Sequence, residues 1–185
     1  MKKLISLDFD GVVYDLDVIH KRFIKEMFNI DYSTKDATYW EYLYVEYPSI
    51  VKCWTDWNVY KTAPFIDGAI DFVEELKKRY GSDAIQFVTS SPESIQTEKT
   101  IMMENIFGLD VIHVTKDKKS LYTKGTIIMD DAKHNIIDHL ENTSNDAILF
   151  DLNGEYGWNK DFYECERSVR ANSYEQALNA FDQRI

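Results

Sequence analysis

The chain has 185 residues, the size of one domain or of one domain carrying a modest insertion. Its 44% hydrophobic content suffices for a real core, and 29% charged residues is ordinary for a globular protein. A net charge of −11 lacks the basic footprint of a duplex nucleic-acid binder, although a locally positive cleft could still take a small anion.

In chain order, residues 4–8 read as a short apolar strand that runs into Asp8-Phe9-Asp10-Gly11. Residues two apart in a strand face the same side. Asp8 and Asp10 are therefore expected to emerge together at the end where α/β sheets place their ligands. Two carboxylates that close repel each other unless a cation or a shared proton relieves them, and Mg²⁺, a hard ion with oxygen ligands, fits best. A surface turn is the competing reading, because Asp and Gly are common turn formers. Asp8 also breaks the apolar run after Lys2 and Lys3, which argues against a secretory signal, and no stretch approaches bilayer length.

Residues 15–64 read as a helical insertion. Leu16, Ile19, Phe23 and Met27 make one helical stripe, followed by an aromatic stretch with Tyr39, Trp40, Tyr42, Tyr44, Tyr47, Trp54, Trp57 and Tyr60. Placed directly after the first strand, this cap is expected to cover the aspartates, leaving 1–14 and 65–185 as the core. Each aromatic also has a plainer reading, as part of the insertion's own small core.

Beyond it, strand-like and helix-like segments alternate, the pattern of an α/β fold with a mainly parallel sheet. Ala69, Phe72, Val73, Leu76 and Tyr80 share one helical face, and Gly81 supplies the stop. Strands are expected at 84–89, 111–114, 126–129 and 147–150. Ser91-Pro92 is a helix start with proline at the first helical position, and Gly108 an end. Ser173 and Gln176 have capping-box spacing for a last helix. Cys53 and Cys165 show neither metal nor redox spacing and read as reduced thiols of a cytoplasmic protein. The four histidines form no metal motif, and His134 and His139 read as helix-surface residues.

Three later features bear on the opening turn. Thr89-Ser90-Ser91-Pro92 places hydroxyls and backbone N–H groups at a helix entry, an anion site or a simple cap. Lys116-Asp117-Lys118-Lys119 could bring one lysine to a phosphate or to the first carboxylates, the others being solvated. Asp130 and Asp131 end another apolar strand and would complete a carboxylate cage for the metal.

In this order, DFDGVV, TSSP, the lysine segment and MDD resemble the four motifs of the haloacid dehalogenase superfamily of phosphohydrolases. Asp8-Phe9-Asp10-Gly11-Val12-Val13-Tyr14-Asp15 is similar to the opening of the 5'(3')-deoxyribonucleotidases, and residues 4–150 carry the likeness. The resemblance implies a Rossmann-like three-layer core with a small helical cap inserted after the first strand. It implies Asp8 as the nucleophile that forms an aspartyl-phosphate, and Asp10 as the acid that protonates the leaving alcohol and then activates water. Dehalogenases of the superfamily lack that second acid, so it points to phosphate esters. Thr89 and Ser90 would bind phosphate, with Lys118 or Lys119 beside them. Asp8, Asp10, Asp130 and Asp131 would hold Mg²⁺, Asp10 through its backbone carbonyl.

Leu16 stands where the nucleotidases carry a phenylalanine against the base, so Tyr39, Trp40, Trp54 or Trp57 could stack there instead. The expected substrate is a nucleoside monophosphate. A sugar phosphate, or a catalytically silent binding module on the same scaffold, are the competing readings. No membrane or duplex partner is expected, and a homodimer is compatible with the sequence.

Overall fold

The computed structural model describes residues 3–56, 59–115 and 118–185. One sheet is built from β1 (Ile5–Leu7), β2 (Ile85–Ser90), β3 (Asp110–Val114), β4 (Ile127–Asp130), β5 (Ala147–Phe150) and β6 (Ser168–Ala171). All pairings are parallel, in the order β3-β2-β1-β4-β5-β6, with Leu7 beside Phe87 on one side and Met129 on the other. Chain order reverses at β1, so its carboxyl end opens onto the crevice where parallel sheets take ligands. β6 is absent from the sequence expectation. Ser168-Val169-Arg170-Ala171 has no apolar run of its own and becomes a strand by pairing with β5.

Between β1 and Pro64 lie α1 (Leu16–Phe28), α2 (Tyr42–Glu46), α3 (Lys52–Thr55) and α4 (Val59–Thr62). Asp15 starts α1 by accepting a hydrogen bond from the Val18 N–H, and Asn29 ends it in the left-handed region. The buried face of α1 is Leu16, Ile19, His20, Phe23 and Ile24; Met27, expected on the stripe, is 55% exposed because the stripe drifts off its partner by the last turn. Among the described residues this insertion has no separate core. Phe9 stacks on Tyr14 and Tyr14 on Tyr60, so its buried side chains run into those of the sheet.

The remaining helices are α5 (Ala69–Tyr80), α6 (Glu93–Phe107), α7 (Lys133–Asn142) and α8 (Tyr174–Arg184). Ile5, Leu7, Phe87, Met129, Ile148 and Phe150 face α5, α6 and α8 in one large cluster. Ile128, Ala147 and Leu149 on the opposite face pack with Ile136 of α7. The result is a three-layer, Rossmann-like α/β fold. Helix ends follow the sequence closely: Gly81 and Gly108 have positive φ, and the Ser173 side chain accepts from the Gln176 N–H. Pro92 is the cap residue of α6 rather than its first helical residue. His139 is fully buried, against expectation, because Thr123 bonds its Nδ1 at 2.8 Å. Among the described residues no helix is long and apolar enough to cross a membrane, and both cysteines are free thiols, Cys53 buried and Cys165 exposed.

Candidate active site

Three strand ends converge. Asp8 follows β1, Ser90 ends β2, Asp130 ends β4 and Asp131 follows it. Asp8, Ser90 and Asp131 border a cleft of about 780 Å³ whose other wall comes from the insertion, and Asp130 lies buried behind them. Parallel pairing of β1 with β2 and β4 brings these carboxyl ends to the same side of the sheet: Leu7 lies opposite Phe87 and Met129, β4 ends one residue further at Asp130, and β2 runs on to Ser90.

Asp8 is 6% exposed; its Oδ1 accepts from the Phe9 N–H at 2.8 Å and its Oδ2 pairs with Lys119 Nζ at 2.8 Å. Lys119 also reaches Asp130 Oδ2 at 2.7 Å. Asp130 is fully satisfied, with the Ala132 N–H and the Asn135 amide on its oxygens as well. Asp131 differs: its Oδ1 is buried with no hydrogen-bond partner among the described residues. Its other oxygen lies against Gly11, where a Cβ would come within 2.3 Å. Gly11 has φ +75°, so the tight turn after β1 requires glycine for both its backbone and its neighbour.

Burial raises the Asp8 carboxyl to about 6; Lys119 opposes that rise and Asp130 adds to it. Burial likewise pushes Asp131 well above the usual carboxylate range, reinforced by Asp130 and Asp8. Lys119 is pulled down by burial, but Asp130 and Asp8 outweigh this and hold it above the ordinary lysine range. Four carboxylates thus face two buried ammonium groups, Lys99 and Lys119, which leaves the charge that one divalent cation would neutralise. Asp8, Asp130 and Asp131 each offer an oxygen within 4.8 Å of the others. An all-oxygen set with the unpartnered Asp131 Oδ1 suits a hard ion such as Mg²⁺.

The Asp10 side chain stands apart from that group. Its Oδ2 accepts from Lys99 Nζ at 2.5 Å and from the Tyr60 hydroxyl at 2.9 Å. Between the two candidate lysines the geometry is clear. Lys119 is buried among the carboxylates, whereas Lys118 is 69% exposed and pairs with Asp138 on α7. Thr89 also departs from expectation. It shares strand parity with Ile85 and Phe87, so it points toward α6, where its Oγ1 accepts from Lys99 at 2.6 Å. Ser90 and Ser91 line the cleft in its place.

Of the side chains expected at the substrate, Leu16, Trp40 and Trp54 line the cleft, and Tyr39 does not: it packs edge-on to Tyr42 and bonds Glu46. Trp57 lies outside the described residues, as do Lys116 and Asp117. Trp40 meets His134 and Trp158, so one wall is an aromatic cluster shared by the insertion and the sheet side.

Sequence reasoning missed Lys99 and the loop after β5, and named Tyr60 only as one of the cap aromatics, without its bond to Asp10. Lys99 left a usable signal, since it falls at four-residue spacing with Ile95, Met103 and Phe107 on the apolar stripe of α6. The loop left none. There the Tyr156 hydroxyl donates to the Gly11 carbonyl at 3.0 Å, and Trp158 and Asn159 both donate to the Asp131 carbonyl. These bonds brace the two turns that carry the acids.

This is the fold of the haloacid dehalogenase-like hydrolases. A haloacid dehalogenase-like family hydrolase from Xanthomonas campestris matches with a TM-score of 0.58 at 10% identity, over 98% of this chain and 96% of that one. A predicted phosphoglycolate phosphatase from Haemophilus somnus 129pt matches with 0.61 at 12%, over 96% and 97%. In sequence, the chain is similar to the 5'(3')-deoxyribonucleotidases of Bacillus subtilis (strain 168) and of Bacillus phage SPbeta. Identity to each is 26% over 152 residues, or 82% of this chain and 86% of each relative. No protein-family model matches the chain. The superfamily resemblance carried by the motifs is thus met by both the fold and the relatives.

Proposed function

We propose that the chain is a Mg²⁺-dependent phosphohydrolase of nucleoside monophosphates, working through an aspartyl-phosphate on Asp8. The observation that carries this is the buried Asp8 at the end of β1. Both of its oxygens are oriented, and Lys119 ties it to Asp130. An oriented, dry carboxylate is a competent nucleophile toward phosphorus once its negative charge and that of the phosphate are screened. Asp8 and Asp131 would hold Mg²⁺ together with Asp130 or the Asp10 carbonyl, and the ion would supply charge screening at the phosphoryl oxygens.

The chain's own groups divide the work. Asp8 forms the bond to phosphorus while the ester P–O bond breaks, and Asp10 gives the leaving oxygen its proton. Asp10 then takes a proton from water, whose oxygen displaces Asp8 and releases inorganic phosphate. Lys119 neutralises Asp8 and the transferring group, and Ser90 and Ser91, with the N-terminus of α6 behind them, receive the remaining phosphate oxygens. Residues 15–64 act as the cap. A 780 Å³ cleft walled by Leu16, Trp40 and Trp54 suits a planar base and its sugar. The relatives' names support the same substrate class.

A panel of phosphate esters tests the reading. Preference for deoxyribonucleoside monophosphates over sugar phosphates is expected, and equal rates on both would remove the nucleotidase assignment.

A further inference from the structure

Lys99 is the largest cost on an otherwise apolar helix face. It is fully buried between Ile95 and Met103, with its Nζ 5.4 Å from the Phe9 ring centre and 5.0 Å from that of Tyr60. A buried ammonium is unfavourable unless it is paired and hydrogen-bonded, and a methionine would fill the same space without that cost. Its carboxylate partner is Asp10, with the Thr89 hydroxyl and the Ser90 carbonyl as further acceptors. The Tyr60 hydroxyl, from α4 of the insertion, donates to the same oxygen, Oδ2. Oδ1 of Asp10 is buried with no hydrogen-bond partner among the described residues, and the Asp10 residue borders the cleft.

We propose that Lys99 and Tyr60 are positioning residues that lock Oδ2 of Asp10, so that Oδ1 alone carries the proton to and from the reacting ester; this rests on the phosphohydrolase reading above. In the first step Oδ1–H passes its proton to the ester oxygen as the P–O bond breaks and the bond from Asp8 forms. In the second, Oδ1 receives a proton from water as the water oxygen bonds phosphorus and Asp8 departs. Asp8 and Lys119 are held by the sheet side alone, whereas Asp10 is held jointly by α6 and by the insertion. Proton transfer, unlike nucleophilic attack, therefore depends on the seating of the insertion.

The test compares two esters in the Mg²⁺-loaded full chain and its Lys99→Met and Tyr60→Phe variants. One is a deoxyribonucleoside 5'-monophosphate, whose alkoxide needs a proton. The other is p-nitrophenyl phosphate, whose leaving group scarcely does. The quantity read is kcat/KM, which stops at the first irreversible step. The ratio of aryl to alkyl kcat/KM should rise about 100-fold over the unaltered chain in Lys99→Met, and by a smaller factor in Tyr60→Phe. Equal losses on both esters would show a merely structural role and overturn the proposal. Tyr60→Phe removes one hydroxyl and decides the matter if Lys99→Met does not fold. An unaltered chain that turns over neither ester would overturn the phosphohydrolase reading itself, a result distinct from equal losses in the variants.

Discussion

At the scale of single residues, the site separates side chains that neighbour each other in sequence. Lys118 and Lys119 differ by one position, yet one is solvated and the other joins Asp8 to Asp130. Lys118→Ala removes a surface pair and should change stability by at most about 1 kcal/mol, with turnover retained. Lys119→Met leaves buried carboxylates without their cation and should cost about 3 kcal/mol or more, with turnover lost. Denaturant titration and a phosphate-release assay on both variants check this. Acids at strand ends were legible in the sequence because an apolar run that stops on a charge marks the sheet's rim. Lys99 was only half legible: its place on the apolar stripe of α6 marks it as buried once the stripe is traced, but only packing reveals that Asp10 is its partner. Thr89 was misread because one position along a strand reverses the face.

At the scale of elements, α7 and the turn before β4 are pinned by His139. Its pKa is lowered to about 4, chiefly by burial, against an ordinary 6.5, so the folded state favours the neutral ring and the unfolded state the protonated one. His139 therefore contributes its full stability above pH 6.5 and loses it progressively toward pH 4. The raised carboxyls of Asp8 and Asp131 act in the opposite direction. The difference between unaltered chain and His139→Gln isolates the histidine: the gap should shrink by on the order of 1 kcal/mol per pH unit below 6.5. Parallel stability curves would contradict it. Element placement itself was largely readable, since buried parallel strands stand out as apolar runs. β6 did not, because its strand character comes from β5 and from the Arg170–Asp151 pair rather than from its own residues.

At the scale of the whole molecule, a chain of net charge −11 concentrates four carboxylates at one sheet edge and meets them with two buried lysines. A divalent cation would complete the balance, so Mg²⁺ should raise the melting temperature above that in sodium chloride of equal ionic strength. Asp131→Asn should abolish most of that shift, and an equal shift in the variant would place the ion elsewhere. The α/β class and the order of the motifs were legible because both follow from chain-local patterns. The bracing of Gly11 and Asp131 by Tyr156, Trp158 and Asn159 was not, because it joins segments far apart in sequence.

The central claim is a covalent phosphoryl group on Asp8. Acid-quenching the Mg²⁺-loaded chain during turnover of a deoxyribonucleoside monophosphate, followed by peptide mass spectrometry, reads it directly. The expected result is one phosphoryl group on the peptide bearing Asp8, absent from an Asp8→Asn variant that folds but releases no phosphate. Phosphate release by Asp8→Asn at the unaltered rate, or a phosphoryl group on a different residue, would contradict it.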